Sequence, residues 1–131
     1  MTTVANLCII IAGVLPVICA GIAKGKGFGK RRREGGFDNN DPRAWLARQS
    51  GYQARANAAQ NNSFEALPLF IAGVLAAQQM HADQARVDTL ACVFIALRLA
   101  FIALYLADKA TLRSLVWAAG LACSIALFFL A

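Results

Sequence analysis

Apolar residues along this chain gather into long runs and do not alternate with polar ones. Val4–Ala23 is 20 residues without a charge, Leu90–Ala107 is 18 with a single charge at Arg98, and Leu115–Ala131 is 17 with none. A helix that crosses a membrane needs about 20 apolar residues, with a range of about 17–25. A fourth run, Phe64–Ala77, has only 14. It reaches spanning length when its helix begins near Gln53 and carries polar residues into the bilayer. The pattern predicts an all-α integral membrane protein, a four-helix bundle forming one domain over residues 1–131. Spans are expected at about 4–23, 53–79, 90–107 and 115–131.

The segments between the runs set the order of these helices. A basic, glycine-rich loop at about 24–41 follows the first run and reads as mobile. Asp41-Pro42 reads as a helix start, with Asp41 at the cap and proline at the first helical position. Trp45 suits the headgroup level, and Gly51 is a point where the chain can break or bend. The turn His81–Asp88 is short, so the second and third spans should be antiparallel neighbours, with Asp88 or Thr89 capping the third. Asp108–Leu112 forms the last connection, and Thr111 or Ser114 starts the fourth helix.

Charge adds an orientation. The net charge is +6, and residues 24–43 hold seven basic side chains against Glu34, Asp38 and Asp41. The positive-inside rule puts this loop in the cytoplasm. An even number of spans then puts both termini on the opposite side. Attraction to anionic headgroups is the simplest use of the basic run; no element presents it to a nucleic-acid groove, so a nucleic-acid partner is not expected. A cleaved leader is not expected either, because the basic cluster follows the first run and does not precede it.

Composition narrows the chemistry. The chain is 59% hydrophobic, above the roughly 45–50% of soluble domains. Cys8, Cys19, Cys92 and Cys123 all fall within expected spans, with no C-x-x-C and no adjoining histidine. They read as small packing residues, and neither a disulfide framework nor a metal site is expected. His81 is the single histidine and lies in a turn.

The informative polar residues precede and enter the second span. At about 100° per residue, Arg55, Ala58, Asn62, Glu65 and Leu69 form one stripe, which Ala72, Gly73 and Ala76 continue with small residues. Small residues permit close helix contact in a membrane, so this stripe should face protein. Gln60 lies well round the helix and should meet a different neighbour. On the third span Arg98, Phe101, Ile102 and Tyr105 share a face. An unpaired arginine at mid-span costs at least about 2.5–3.5 kcal/mol. Glu65 is the one acidic residue within a span, and therefore the natural partner of Arg98. Such a pair either pins two helices or lines a polar cavity with Arg55, Asn62, Tyr105 and Arg113. A cavity of that kind suits a small zwitterionic or anionic ligand: arginine forks match carboxylates, a carboxylate matches an ammonium, and a guanidinium beside a thiol favours the thiolate.

Two segments carry a family resemblance: NDPRAWLARQSGYQARANAAQNNSFEALPLF, from Asn40 to Phe70, and RLAFIALYLADKATLRSLVW, from Arg98 to Trp117. The chain resembles the MAPEG family, the membrane-associated proteins of eicosanoid and glutathione metabolism, and looks most like its bacterial members. The second span is similar to a family pattern R-x-x-x-N-x-x-E followed by proline, matched by Asn62, Glu65 and Pro68. Ala58 stands at the arginine position, and Arg55 lies one turn earlier. Gln60 matches a glutamine of some members. Arg98 and Tyr105 match an arginine and a tyrosine of the glutathione site, Phe101 stands where a second tyrosine is common, and Arg113 resembles the arginine that activates the thiol.

The resemblance implies a homotrimer in a bacterial inner membrane, with glutathione held between adjacent subunits near the cytoplasmic side. Arg55, Gln60, Asn62, Glu65, Arg98 and Tyr105 would bind it, and Arg113 and Tyr105 would stabilise its thiolate. Two uses follow: a glutathione transferase acting on a lipophilic electrophile, or a non-catalytic trimer that holds glutathione, lipid or another membrane protein.

Overall fold

The computed structural model describes residues 1–130; Ala131, the end of the expected fourth span, lies outside the described residues. Four long helices and one short one account for most of the chain: α1 (Val4–Lys24), α2 (Pro42–Ala47), α3 (Gly51–Gln79), α4 (Gln84–Leu106) and α5 (Ala110–Leu127). No strand forms among the described residues. α1, α4 and α5 are each long and apolar enough to cross a membrane, whereas α3 falls short on composition. At 29 residues α3 is nonetheless about 44 Å long, well beyond the roughly 30 Å of a hydrocarbon core.

The helix ends follow local chemistry, with some departures from expectation. Asp41 caps α2 by accepting a hydrogen bond from the Ala44 N–H, and Pro42 sits in its first turn. α2 and α3 are separate helices, divided at Ser50-Gly51; Gly51 has φ +61°, a left-handed conformation that glycine adopts without a Cβ clash. α4 starts earlier than its apolar run suggests. Asp83 is its cap, accepting from the Ala85 N–H, and neither Asp88 nor Thr89 serves. Asp88 instead reaches across to α1, where its Oδ1 accepts from the Ala5 N–H at 2.8 Å. α5 begins at Ala110 without a side-chain cap. Two residues past the ends of α3 and α4, His81 and Asp108 both adopt positive φ. The N–H of the next residue in each case returns to a carbonyl five residues back, Ala82 to Ala77 and Lys109 to Leu104, which satisfies the otherwise free last turn.

α3 touches α1, α4 and α5, while α4 touches α1, α3 and α5. These two helices therefore form the centre, with α1 and α5 on their flanks. Phe70 of α3 and Phe94 of α4 stack with centroids 4.0 Å apart, in a core that includes Ala5, Cys8, Ala12, Val74, Ala77, Val87, Ala91 and Leu127. A second layer holds Leu15, Cys19, Ala59, Phe101 and Ile102. The abundance of alanine at these contacts lets backbones approach closely, the usual basis of helix packing in lipid. The four cysteines are free thiols, with Cys8 and Cys19 buried in the packing and Cys92 exposed.

The loop after α1 is folded back on itself. Trp45 is 3% exposed, packed with Ala23, Leu46 and Ala56. Its indole N–H donates to the Gly35 carbonyl, and its ring meets Phe37 edge-on. It is therefore the anchor of the loop and does not sit free at the headgroup level: an indole N–H needs a partner when buried, and Gly35 supplies one.

Gly73 sets the closest approach of α3 and α5. A Cβ there would lie 2.8 Å from the Ser124 carbonyl oxygen and 3.1 Å from Leu127 Cβ. Gly120, on the facing helix, has 3.9 Å of room against Phe94. Gly73→Val is expected to cost about 1–3 kcal/mol, the usual range for overpacking. Gly120→Ala should be neutral or slightly stabilising, since it raises helix propensity. Thermal unfolding of both variants in detergent, read by loss of ellipticity, checks this.

Candidate functional site

The polar stripe of α3 divides into parts with different uses. Its upper end ties helix termini together. Gln53 donates from Nε2 to the Ala23 carbonyl at 2.9 Å, closing α1, and Arg55 donates from Nε to the Leu106 carbonyl at 3.1 Å, closing α4. A cation at the C-terminal end of a helix is favoured by the helix dipole as well as by the hydrogen bond. Arg55 is thus engaged in the fold.

Two turns lower the stripe opens onto a cleft between α3, α4 and α5. Asn62, Glu65, Ala66, Phe94, Arg98, Trp117 and Ser124 are among the residues lining its inner part, a space of about 100 Å³. An adjoining part of about 190 Å³ is lined by Asn62, Phe101, Tyr105, Arg113, Ser114 and Trp117. Asn62 and Trp117 belong to both, so the two parts meet there. Asn62, Glu65, Arg98, Tyr105 and Arg113 are brought to this one surface by three helices.

Arg98 is buried to 4% exposure. The expected ion pair with Glu65 does not form. The guanidinium donates instead to the Ser63 hydroxyl at 3.0 Å and lies over the Phe101 ring, 4.2 Å from its centroid. The reason is positional: Ser63 faces α4 and is buried, while Glu65, two residues on, points to the exposed side of α3. Among the described residues no carboxylate pairs with Arg98; the two ion pairs are Arg32–Asp38 and Arg86–Asp83. A guanidinium has five N–H donors, and one bond to a neutral hydroxyl leaves most of them free. The Asn62 side-chain oxygen is also buried without a partner.

Aromatic rings frame the outer part. The Arg113 guanidinium stacks over the Tyr105 ring at 4.2 Å, and Tyr105 meets Phe101 edge-on. Phe101 is 2% exposed and packs with Leu15 and Cys19. It meets these apolar residues as well as the Arg98 guanidinium and the Tyr105 ring. The cleft therefore offers one phenol, two guanidinium groups, one carboxylate and one amide.

Gln60 lies elsewhere. It borders a separate hollow with Arg43, Leu46, Asn57, Asn61 and Phe64, and its side-chain oxygen is buried there without a partner. α3 thus has two polar faces. Sequence reasoning did not single out Ser63, the residue that holds Arg98, nor Ser124. Ser63 offered a signal in its place within the polar string, directly after Asn62.

The sequence profile of the MAPEG family matches residues 4–131, nearly the whole chain. The chain belongs to the MAPEG family. No curated protein and no solved structure matches it. Membership of this membrane family, with three apolar helices of spanning length, makes the chain an integral membrane protein. The five side chains that share the cleft come from α3, α4 and the first turn of α5.

Ser63→Ala is expected to leave the buried Arg98 without its hydrogen bond, at a cost of about 1–3 kcal/mol. Ser114→Ala removes an exposed hydroxyl from the same cleft and should stay within about 0.5 kcal/mol of the parent. Denaturant titration of the two variants in mixed micelles compares them.

Proposed function

We propose that this MAPEG protein binds glutathione and acts as a glutathione transferase, joining the glutathione thiolate to a lipophilic electrophile that arrives from the bilayer. The observation that carries this reading is Arg98, a buried cation facing a cleft with no carboxylate of the described residues bound to it. An arginine fork left in this state favours an anionic ligand that supplies the missing carboxylate. Glutathione has two carboxylates, one ammonium and one thiol. Arg98 takes a carboxylate, Glu65 takes the ammonium, and the Asn62 side chain bonds a peptide group. Tyr105 and Arg113 face the thiol end. Their phenol and guanidinium favour the thiolate, the nucleophilic form. The thiol proton passes to water, the sulfur bonds to the electrophilic carbon, and the leaving group departs into solvent. Holding both reactants in one cleft supplies much of the rate.

The same reading makes the protein a homotrimer of four-span subunits. Neither part of the cleft reaches the roughly 300 Å³ of a typical small-molecule site. The exposed amides and carboxylate of α3, with Asn61 and Glu65 on its open side, are costly against lipid. A neighbouring copy covers them. The cleft and the Gln60–Arg43 hollow are different surfaces, and contact between unlike surfaces closes into rings. Gln60 then approaches glutathione from the adjacent subunit, and Arg55, committed to Leu106, positions the cleft wall. The basic loop lies in the cytoplasm of a bacterial inner membrane, with both termini opposite.

A second reading, glutathione binding without turnover, is favoured by Phe101, which removes one hydroxyl from the wall of the cleft. Calorimetry with glutathione and conjugation assays with a chlorodinitrobenzene-type electrophile separate the two. The transferase reading expects saturable binding and turnover above background. Glu65→Gln should weaken binding about tenfold or more, as for loss of a charge-assisted hydrogen bond. Arg113→Ala should lower turnover about tenfold with binding retained. Binding without turnover supports the second reading, and absence of binding overturns both.

A further inference from the structure

We propose that the folded loop between α1 and α2 is a preorganised docking site for anionic phospholipid headgroups, at the membrane face where α1 ends. This inference rests on the loop and is independent of the glutathione site.

The loop sorts its cations into two groups. Lys24 lies over the Phe37 ring and Lys26 over the Tyr52 ring, each 4.9 Å from the centroid. Arg32 pairs with Asp38 at 3.0 Å. These three are occupied in holding the loop. Lys30, Arg31 and Arg33 are exposed, and the side chain of each lacks a hydrogen-bond, ion-pair or aromatic partner among the described residues. Glu34 shares their turn, so the free group retains an excess of two positive charges. Phe28, two residues before Lys30, is 58% exposed.

Their frame is fixed by several contacts. Phe28 meets Phe37 edge-on and Phe37 meets Trp45 edge-on. The Phe37 N–H donates to the Gly27 carbonyl, the Gly36 N–H to the Arg31 carbonyl, and the Trp45 indole to the Gly35 carbonyl. A loop so tied loses little conformational entropy on binding. An exposed aromatic ring beside unpaired cations suits the boundary between headgroups and acyl chains, with the ring in the apolar layer and the cations on phosphate. Only three residues of 3₁₀ turn, Gly25–Gly27, separate Phe28 from α1, so the ring stays close to the bilayer. Basic residues beside an anionic surface each add attraction that fades within a Debye length.

Native mass spectrometry of the full-length protein, released from detergent containing equal phosphatidylglycerol and phosphatidylcholine, tests this. Phosphatidylglycerol should be retained about tenfold over phosphatidylcholine, and the preference should shrink as salt is raised before analysis. Arg31→Gln combined with Arg33→Gln should abolish most of it. Arg86→Gln combined with Lys109→Gln removes the same charge outside the loop and should leave it intact. Trp45→Ala keeps every cation and should reduce the preference by releasing the frame. Equal retention of the two lipids by the parent overturns the proposal. So does equal loss in the two double variants, which would assign the effect to net charge alone. An undiminished preference in a folded Trp45→Ala protein overturns the preorganised frame.

Discussion

A guanidinium buried among apolar helices is the constraint to which the rest of this structure answers. Arg98 sits on α4 at the level where α1, α3 and α4 all pack, with Cys19, Ala59 and Phe101 in the surrounding layer. Its charge is met by one hydroxyl and one aromatic face. Both contacts are weaker than a carboxylate would be. The helix that supplies the hydroxyl must therefore stay close to α4, and the Phe70–Phe94 stack secures that approach further along. Gly73 brings α5 against the same helix. The cleft exists because the three helices converge on a side chain they do not fully satisfy.

Polar groups elsewhere in the bundle serve a different end. Hydrogen bonds at the helix termini cross from one helix to another: Gln53 to the end of α1, Arg55 to the end of α4, Asp88 to the start of α1, and Gln78 to Thr3. The first three satisfy backbone groups at helix ends, the last ties α3 to the Thr3 cap of α1, and each fixes the register between two helices. In an apolar medium this is an economical use of polarity, since the same bond removes an unsatisfied group and orients a neighbour.

The sequence made the helices legible because spanning length and charge-free runs follow from hydrocarbon thickness alone. It also placed Asn62 and Arg98 on protein-facing stripes, because helical spacing assigns faces, whereas Glu65 on the stripe of Asn62 is exposed. Partner choice was less legible. The Arg98–Glu65 pair was a charge-balance inference, and charge balance says nothing about which of two adjacent rows on α3 turns inward; Ser63 occupies the inner row. Helix starts were missed for a related reason. Asp83 and Asp88 are both competent caps, and only the tertiary contact of Asp88 with Ala5 decides between them. Trp45 resembled an interfacial residue because arginines flank it at Arg43 and Arg48, while the loop that covers it comes from up to ten residues upstream.

α3 remains the least comfortable helix. It is long enough to cross a membrane but too polar to do so alone, and its polar groups lie on two faces. One face meets α4 and α5 within the chain. The other carries Asn57, Gln60 and Asn61, which line a hollow with Arg43, Leu46 and Phe64. A helix with one polar face can turn that face inward and present lipid with the other. A helix with two cannot, whatever its rotation. In the homotrimer proposed above, a neighbouring copy covers this second face. The second polar face of α3 thus supports the proposed association on grounds separate from the ligand.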